Sequence, residues 1–175
     1  WDRMQKGYLP WREHAYKLML KALAYWMPEK FIALDIACGP GAISSRLLAH
    51  FPQARCIGID FDPVLLAIGR QTLGDGDGRM TWIEADLRDP AWLNRLPIET
   101  VDAVVSSTAL HWLAADELKE LYVRLGRLVR TGGILMNADE MRPSSPRLWP
   151  FFYEWSRGTW KDSFASADTE DWDQF

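Results

Sequence analysis

The sequence lacks most of the features that declare a function outright. Cysteine is scarce, with only Cys38 and Cys56 in 175 residues. Two are too few for a disulfide framework and fit a reducing compartment such as the cytoplasm. No apolar run approaches the roughly 18 residues of a membrane-spanning helix, and no signal-peptide pattern opens the chain. Positive charge is not in excess: 20 basic against 24 acidic residues leave a net charge of −4. A broad basic face for duplex nucleic acid is therefore not expected. No His/Cys/Asp cluster has metal-ligand spacing, so no metal is expected. Repeats and low-complexity linkers are absent as well.

What remains reads as a globular protein. Hydrophobic residues make up 48% and charged residues 25%, too apolar for disorder. A chain of this length predicts one domain that buries roughly 70% of its unfolded surface. Tryptophan is abundant, with ten copies. Trp1, Trp11, Trp26, Trp149, Trp155, Trp160 and Trp172 lie toward the two ends. The opening residue, Trp1, predicts that the natural start lies upstream.

Along the middle, short apolar runs alternate with helical patterns. Residues 10–27 recur at helical steps (Trp11, Ala15, Leu18, Ala22, Tyr25) until Pro28. Strands are expected at 31–36, 55–59, 80–84, 101–106 and 134–138. Between them lie a helix carrying Ile43, Leu47 and Leu48, and one opened by Asp62-Pro63 with Asp as cap and Pro at the first position. A short helix follows Asp89-Pro90. A strong one carries Leu118, Leu121, Tyr122, Leu125 and Leu128, closed by Gly132-Gly133. Continuous apolar strands alternating with helices predict an α/β, doubly wound, mostly parallel sheet with helices on both faces. Ligands of such sheets bind beyond the carboxyl ends of the strands, where strand order reverses. Three regions follow: an N-terminal helical cover at 1–30, an α/β core at 31–140, and an aromatic, acidic segment at 141–175. An aromatic helix is expected at 147–160 and a solvated acidic tail at 162–175.

The residues after each strand carry the chemistry. Leu34-Asp-Ile-Ala-Cys-Gly-Pro-Gly-Ala42 is a strand-to-helix turn in which Gly39 and Gly41 permit close backbone approach. Asp60 ends the second strand, where a carboxylate can accept both hydroxyls of a ribose. Turn and acid together point to a nucleoside-containing cofactor. Gly-x-Gly followed by Ser44 would tolerate a dinucleotide, and a NAD-dependent oxidoreductase is one alternative. Against it, Asp35 would repel pyrophosphate yet suit an ammonium group, and Asp86 follows the third strand, where it can accept from an adenine amino group.

These motifs, with Val101-Asp-Ala-Val-Val-Ser-Ser-Thr-Ala-Leu-His-Trp-Leu113, resemble the class I S-adenosylmethionine-dependent methyltransferases, above all the small-molecule members related to trans-aconitate methyltransferase. The resemblance runs from about Ala33 to Ala138. It implies a Rossmann-like methyltransferase fold, S-adenosylmethionine as cofactor and a small-molecule methyl acceptor. It also implies residue roles. The turn from Asp35 to Gly41 would hold the methionyl part, with Ala37 standing where the family usually has Gly. Asp60 would bind the ribose diol, Phe61 flank the adenine, and Asp86 and Leu87 read its edge. Ser106 and Ser107 would line the pocket near the methionine, and Arg12 would pair with its carboxylate.

Other residues have plainer readings. Cys38 and Cys56 pack, Asp62 caps a helix, His14 and His50 lie at the surface or cap, and Trp112 packs. Asp102 opens a strand at the end of the sheet away from the chemistry and is structural. His111 follows the fourth strand and is either a general base or a structural histidine. Trp11, Phe151, Phe152 and Trp155 are candidates for a substrate cover. A family sheet has seven strands and only five are found, so the chain is expected to be truncated after strand five. A non-catalytic interaction module of the same fold is the other alternative.

Overall fold

A computed structural model describes residues 2–140, 145–155 and 157. The chain divides into two compact units, Leu18–Asp139 and Trp1–Lys17 with Glu140–Phe175. Trp1, Trp160, Trp172 and the acidic segment 162–175 lie outside the described residues, as does most of the chain after β5 on which the expected truncation bears.

The larger unit carries the sheet and begins at Leu18, within the segment assigned by sequence to the N-terminal cover. Its strands are β1 (Ile32–Ile36), β2 (Arg55–Asp60), β3 (Met80–Glu84), β4 (Val101–Ser107) and β5 (Val129–Ala138). They form one parallel sheet in the order β3-β2-β1-β4-β5. Strand order reverses beside β1, so the carboxyl ends of β1, β2 and β4 frame the crevice where such sheets bind ligands.

Side chains alternate across the sheet. Leu34, Ile36, Ile57, Ile59, Ile83 and Val104 join Trp92 and the Leu121, Leu125 and Leu128 stripe of α5 (Ala115–Leu128) in one buried cluster. The opposite face turns Asp35, Cys56 and Trp82 toward α3 (Ala42–His50) and α4 (Pro63–Thr72). There Ser44 Oγ lies 3.2 Å from Cys56 Sγ. Helices therefore cover both faces. The cap of α4 is as expected: the Asp62 carboxylate accepts from Val64 N at 2.8 Å and Leu65 N at 3.3 Å. The segment after Asp89 is a 3-10 helix, Pro90–Arg95.

Trp82 explains two glycines. A Cβ on Gly41 would fall 2.6 Å from Trp82 Cη2, and one on Gly69 would fall 2.5 Å from the same atom. The indole fills that gap, and its N–H donates to the Gly74 carbonyl at 2.7 Å. Gly41 is thus demanded by packing and by its left-handed φ of 82°, not by ligand approach alone.

The end of α5 corrects one expectation. Gly132-Gly133 does not close the helix, which stops at Leu128; β5 starts at Val129 and runs through both glycines. Val101 pairs with Val129 but Ala103 with Ile134, so β5 carries a bulge. Extra residues must fold out of the ladder there. Gly132 does so at φ 78°, and a Cβ on Gly133 would meet the Asp102 carbonyl at 2.6 Å. Asp102 is structural: it accepts from Ile32 N at 2.6 Å and pairs with Arg130, tying the starts of β1, β4 and β5.

The smaller unit contains α1 (Asp2–Tyr8), which sequence periodicity does not reveal, and the first turns of α2 (Arg12–Trp26). Arg12 is buried and pairs with Asp2. Trp11 Nε1 donates to Glu140 Oε1 at 3.1 Å. Residues 149–155 are helical, with Phe151 and Trp155 exposed.

The two kinds of helical glycine respond oppositely to a methyl group. Gly126 in α5 has open space around it. Gly126→Ala is expected to stabilise by about 0.5–1 kcal/mol. Gly69→Ala, against Trp82, is expected to destabilise by about 1–3 kcal/mol. Urea unfolding of both variants measures the contrast.

Candidate active site

The glycine turn is built from three left-handed residues, Ala37 (φ 51°), Gly39 (φ 53°) and Gly41 (φ 82°). For Ala37 this conformation costs about 1–2 kcal/mol that glycine would not incur. Neighbouring strands hold the turn in place. Cys38 N donates to Ile59 O at 2.9 Å, and Gly41 N to Cys38 O at 2.9 Å. Gly39 N donates to Asp60 Oδ2 at 2.7 Å. Gly58 makes room: a Cβ there would lie 2.9 Å from Cys38 Sγ.

Asp60 is buried, and each carboxylate oxygen takes one backbone N–H. Gly39 reaches Oδ2, and Asp62 N reaches Oδ1 at 2.9 Å. One side chain thereby fixes the turns after β1 and β2 relative to each other, and each oxygen keeps a lone pair for a further donor. Phe61, the next residue, is 66% exposed.

Asp35 is 2% exposed. Its Oδ2 accepts from Ser44 Oγ at 2.6 Å and Ser44 N at 3.2 Å. Gly41, the residue that starts α3, has no side chain to cap the helix. Asp35 supplies the missing acceptor from β1, to the third residue of α3. Burial, partly offset by the Ser44 bonds and reinforced by the nearby Asp60 carboxylate, pushes the Asp35 carboxyl up to about 7.

Asp86 is engaged elsewhere. Its carboxylate is gripped by Arg88, with Nη2 at 2.6 Å and Nε at 3.0 Å, and this pairing holds it below the usual carboxylate range. Only Asp35 and Asp60 of the three expected acids are coupled in one buried cluster. The Leu87 side chain packs in the hydrophobic core.

Ser106 and Ser107 end β4. Ser106 Oγ donates to the Ile36 carbonyl at 2.9 Å and so joins β4 to the end of β1. Ser107 Oγ is buried with no hydrogen-bond partner among the described residues. Thr108 then turns the chain at φ 54°, an uncommon conformation for a β-branched residue. A 3-10 turn follows at Leu110–Trp112. Leu110 anchors it in the core, while Trp112 is 81% exposed, contrary to its expected packing role. His111 Nδ1 lies 2.7 Å from Asp139 Oδ1, and His111 N donates to Asp139 Oδ2 at 3.1 Å. Sequence reasoning passed over Asp139, although it is an acid directly after a strand, like Asp60. Arg12 belongs to the smaller unit, where its partner is Asp2. Among the described residues no group of three or more His, Cys, Asp or Glu is placed to hold a metal.

This sheet order, with a glycine turn tied to an acid at the end of β2, defines a doubly wound α/β domain, and comparison with known proteins makes it more specific. The methyltransferase domain model matches residues 33–133, over half of the chain, which belongs to that family; its fold is that of the class I S-adenosylmethionine-dependent methyltransferases. A trans-aconitate 2-methyltransferase from Azoarcus sp. is 31% identical over 136 residues, covering 77% of this chain and 49% of the relative. The chain thus spans about half the length of that curated relative. Among solved structures, an S-adenosylmethionine-bound amino pentose methyltransferase from Micromonospora echinaspora is similar with a TM-score of 0.60 at 23% identity, over 76% of this chain and 52% of that one. A sugar N-methyltransferase from Streptoalloteichus has a TM-score of 0.60 at 22% identity, over 75% and 49%.

The raised Asp35 carboxyl makes stability depend on pH. The folded chain keeps this proton up to about pH 7, whereas the unfolded group titrates near 3.8. Between those values the folded state holds more protons, so stability falls as pH rises, by up to about 1.4 kcal/mol per pH unit, and levels off above 7. Asp35→Asn keeps an acceptor for Ser44 and is expected to remove that decline. Urea unfolding of both proteins at pH 5 and pH 7.5 checks this.

Proposed function

We propose that the protein transfers a methyl group from S-adenosylmethionine to a small-molecule acceptor by in-line displacement and releases S-adenosylhomocysteine. The observation that carries this reading is the Asp60 carboxylate, locked against the glycine turn with lone pairs left for a ribose diol. When bound, S-adenosylmethionine supplies a methyl group already activated by its positive sulfur, so the protein's task is mainly alignment, worth roughly 7–11 kcal/mol.

The chain's own residues suit such a ligand. Ser107 Oγ is a buried hydroxyl lacking a partner among the described residues, and a bound polar ligand would satisfy it. Asp35 Oδ1, the oxygen not engaged by Ser44, is left to meet an ammonium group, whose positive charge would favour loss of the proton that the carboxyl otherwise keeps to about pH 7. Asp60 holds the ribose and the exposed Phe61 flanks the base. Ala37, Gly39 and Gly41 shape the turn beside the methionyl part, and Ser106 fixes the β4 edge of the site. For the adenine edge, the backbone at Asp86 and Leu87 is a better reader than either side chain.

A dinucleotide fits less well. The N–H groups of Cys38, Gly39 and Gly41 already have protein acceptors, so the turn has fewer donors left for pyrophosphate, and the buried acids Asp35 and Asp60 would face it. A small acceptor rather than nucleic acid agrees with the net charge of −4 and with the relatives, a trans-aconitate methyltransferase and sugar methyltransferases. A cytoplasmic setting agrees with two free, buried cysteines. Among the described residues no helix is long and apolar enough to cross a membrane.

Calorimetry with S-adenosylhomocysteine tests the reading. The wild type is expected to bind it, and Asp60→Ala to bind at least tenfold more weakly, the scale of a lost charge-assisted bond of about 1.5–3 kcal/mol. Binding of NAD with no binding of S-adenosylhomocysteine overturns the proposal.

A further inference from the structure

We propose that Asp139 is a positioning residue that makes His111 a general base, and that the acceptor therefore carries an exchangeable proton, on a hydroxyl or an amine rather than a free carboxylate. This inference rests on the methyl-transfer reading above.

Both Asp139 oxygens are directed at His111. Oδ2 accepts the His111 backbone N–H at 3.1 Å, and Oδ1 faces ring Nδ1 at 2.7 Å. A carboxylate only accepts, so the ring proton sits on Nδ1 and Nε2 is left as the basic nitrogen. The Asp139 side chain is 6% exposed and that of His111 32%. The carboxylate is thus shielded while the imidazole stays open to a small molecule. A brace alone would need only the main-chain bond; the second bond fixes the ring. The chain bears backbone strain to place it. Thr108 adopts a left-handed φ of 54°, its N–H donates to Ala138 O at 2.9 Å, and the Leu110 anchor turns His111 and Trp112 outward. Strain of this kind concentrates at functional sites.

The chemistry sets the acceptor class. As the acceptor's oxygen or nitrogen bonds to the methyl carbon, its proton passes to Nε2. The C–S bond breaks with its electron pair retained by sulfur, and Asp139 balances the imidazolium charge. A carboxylate acceptor is ionised near neutral pH and gives such a base nothing to do.

The test compares two acceptor types in the wild type, His111→Ala and Asp139→Asn. One set is phenols and primary amines, including amino sugars; the other is the carboxylate trans-aconitate. Methylation of the protonated set is expected to fall about 10²–10⁴-fold in His111→Ala, through kcat rather than KM. Free imidazole restores part of it, which a purely structural histidine would not allow. Asp139→Asn preserves the shape and is expected to lose rate in the same sense, with the ¹⁵N signals of His111 reporting a changed tautomer. Any trans-aconitate turnover is unaffected, and S-adenosylhomocysteine binds all three proteins alike. A wild type that methylates carboxylates alone, or variants that lose both acceptor types equally, overturns the inference while leaving methyl transfer standing. Failure of the wild type to bind S-adenosylhomocysteine overturns both.

Discussion

A single buried carboxylate holds the site together. Asp60 stands at the end of β2, yet its oxygens are bound to the N–H of Gly39 and the N–H of Asp62. It therefore fixes a turn 21 residues away in sequence and the entry to α4 at once. Removing an acceptor from two backbone donors is costly where water cannot replace it. The Asp35 carboxylate nearby is the second fixed point, since it caps α3 from the neighbouring strand. The charge of Asp60 adds to the burial that makes Asp35 titrate so late. A ligand that brings positive charge would lower the cost of ionising Asp35.

Much of this was legible beforehand. The five parallel strands follow from apolar runs bounded by turn residues, and Asp62-Pro63 announces the start of α4. Asp35, Asp60 and the glycine turn could be placed because they fall at the carboxyl ends of parallel strands, where such sheets hold their ligands. The family resemblance to methyltransferases is supported by the domain match over residues 33–133.

Other features were hidden for physical reasons. Gly132-Gly133 looked like a helix stop because a glycine pair ends many helices; nothing local distinguishes that from a bulge in β5. Asp86 could not be seen to prefer Arg88, since the preference depends on how two side chains fold back at close range. Gly58 and Gly69 gave no sign that they make room for Cys38 and Trp82, because their partners are distant in sequence. Asp139 carried the same signal as Asp60, an acid just past a strand, but its meaning depends on His111 lying beside it across the β4–β5 edge.

The strand order divides the labour. Asp35 and Asp60 sit on β1 and β2, while His111 and Asp139 follow β4 and β5. The two halves of the sheet meet along the β1–β4 seam, whose paired positions are Ala33 with Ala103, Leu34 with Val104, and Asp35 with Val105. Most of that seam is plain aliphatic packing that places little demand on neighbouring loops. On the proposed reading, the stretch from 32 to 62 serves the donor and the stretch from 107 to 139 the acceptor, so a change on one side of that joint would leave the other side's contacts in place.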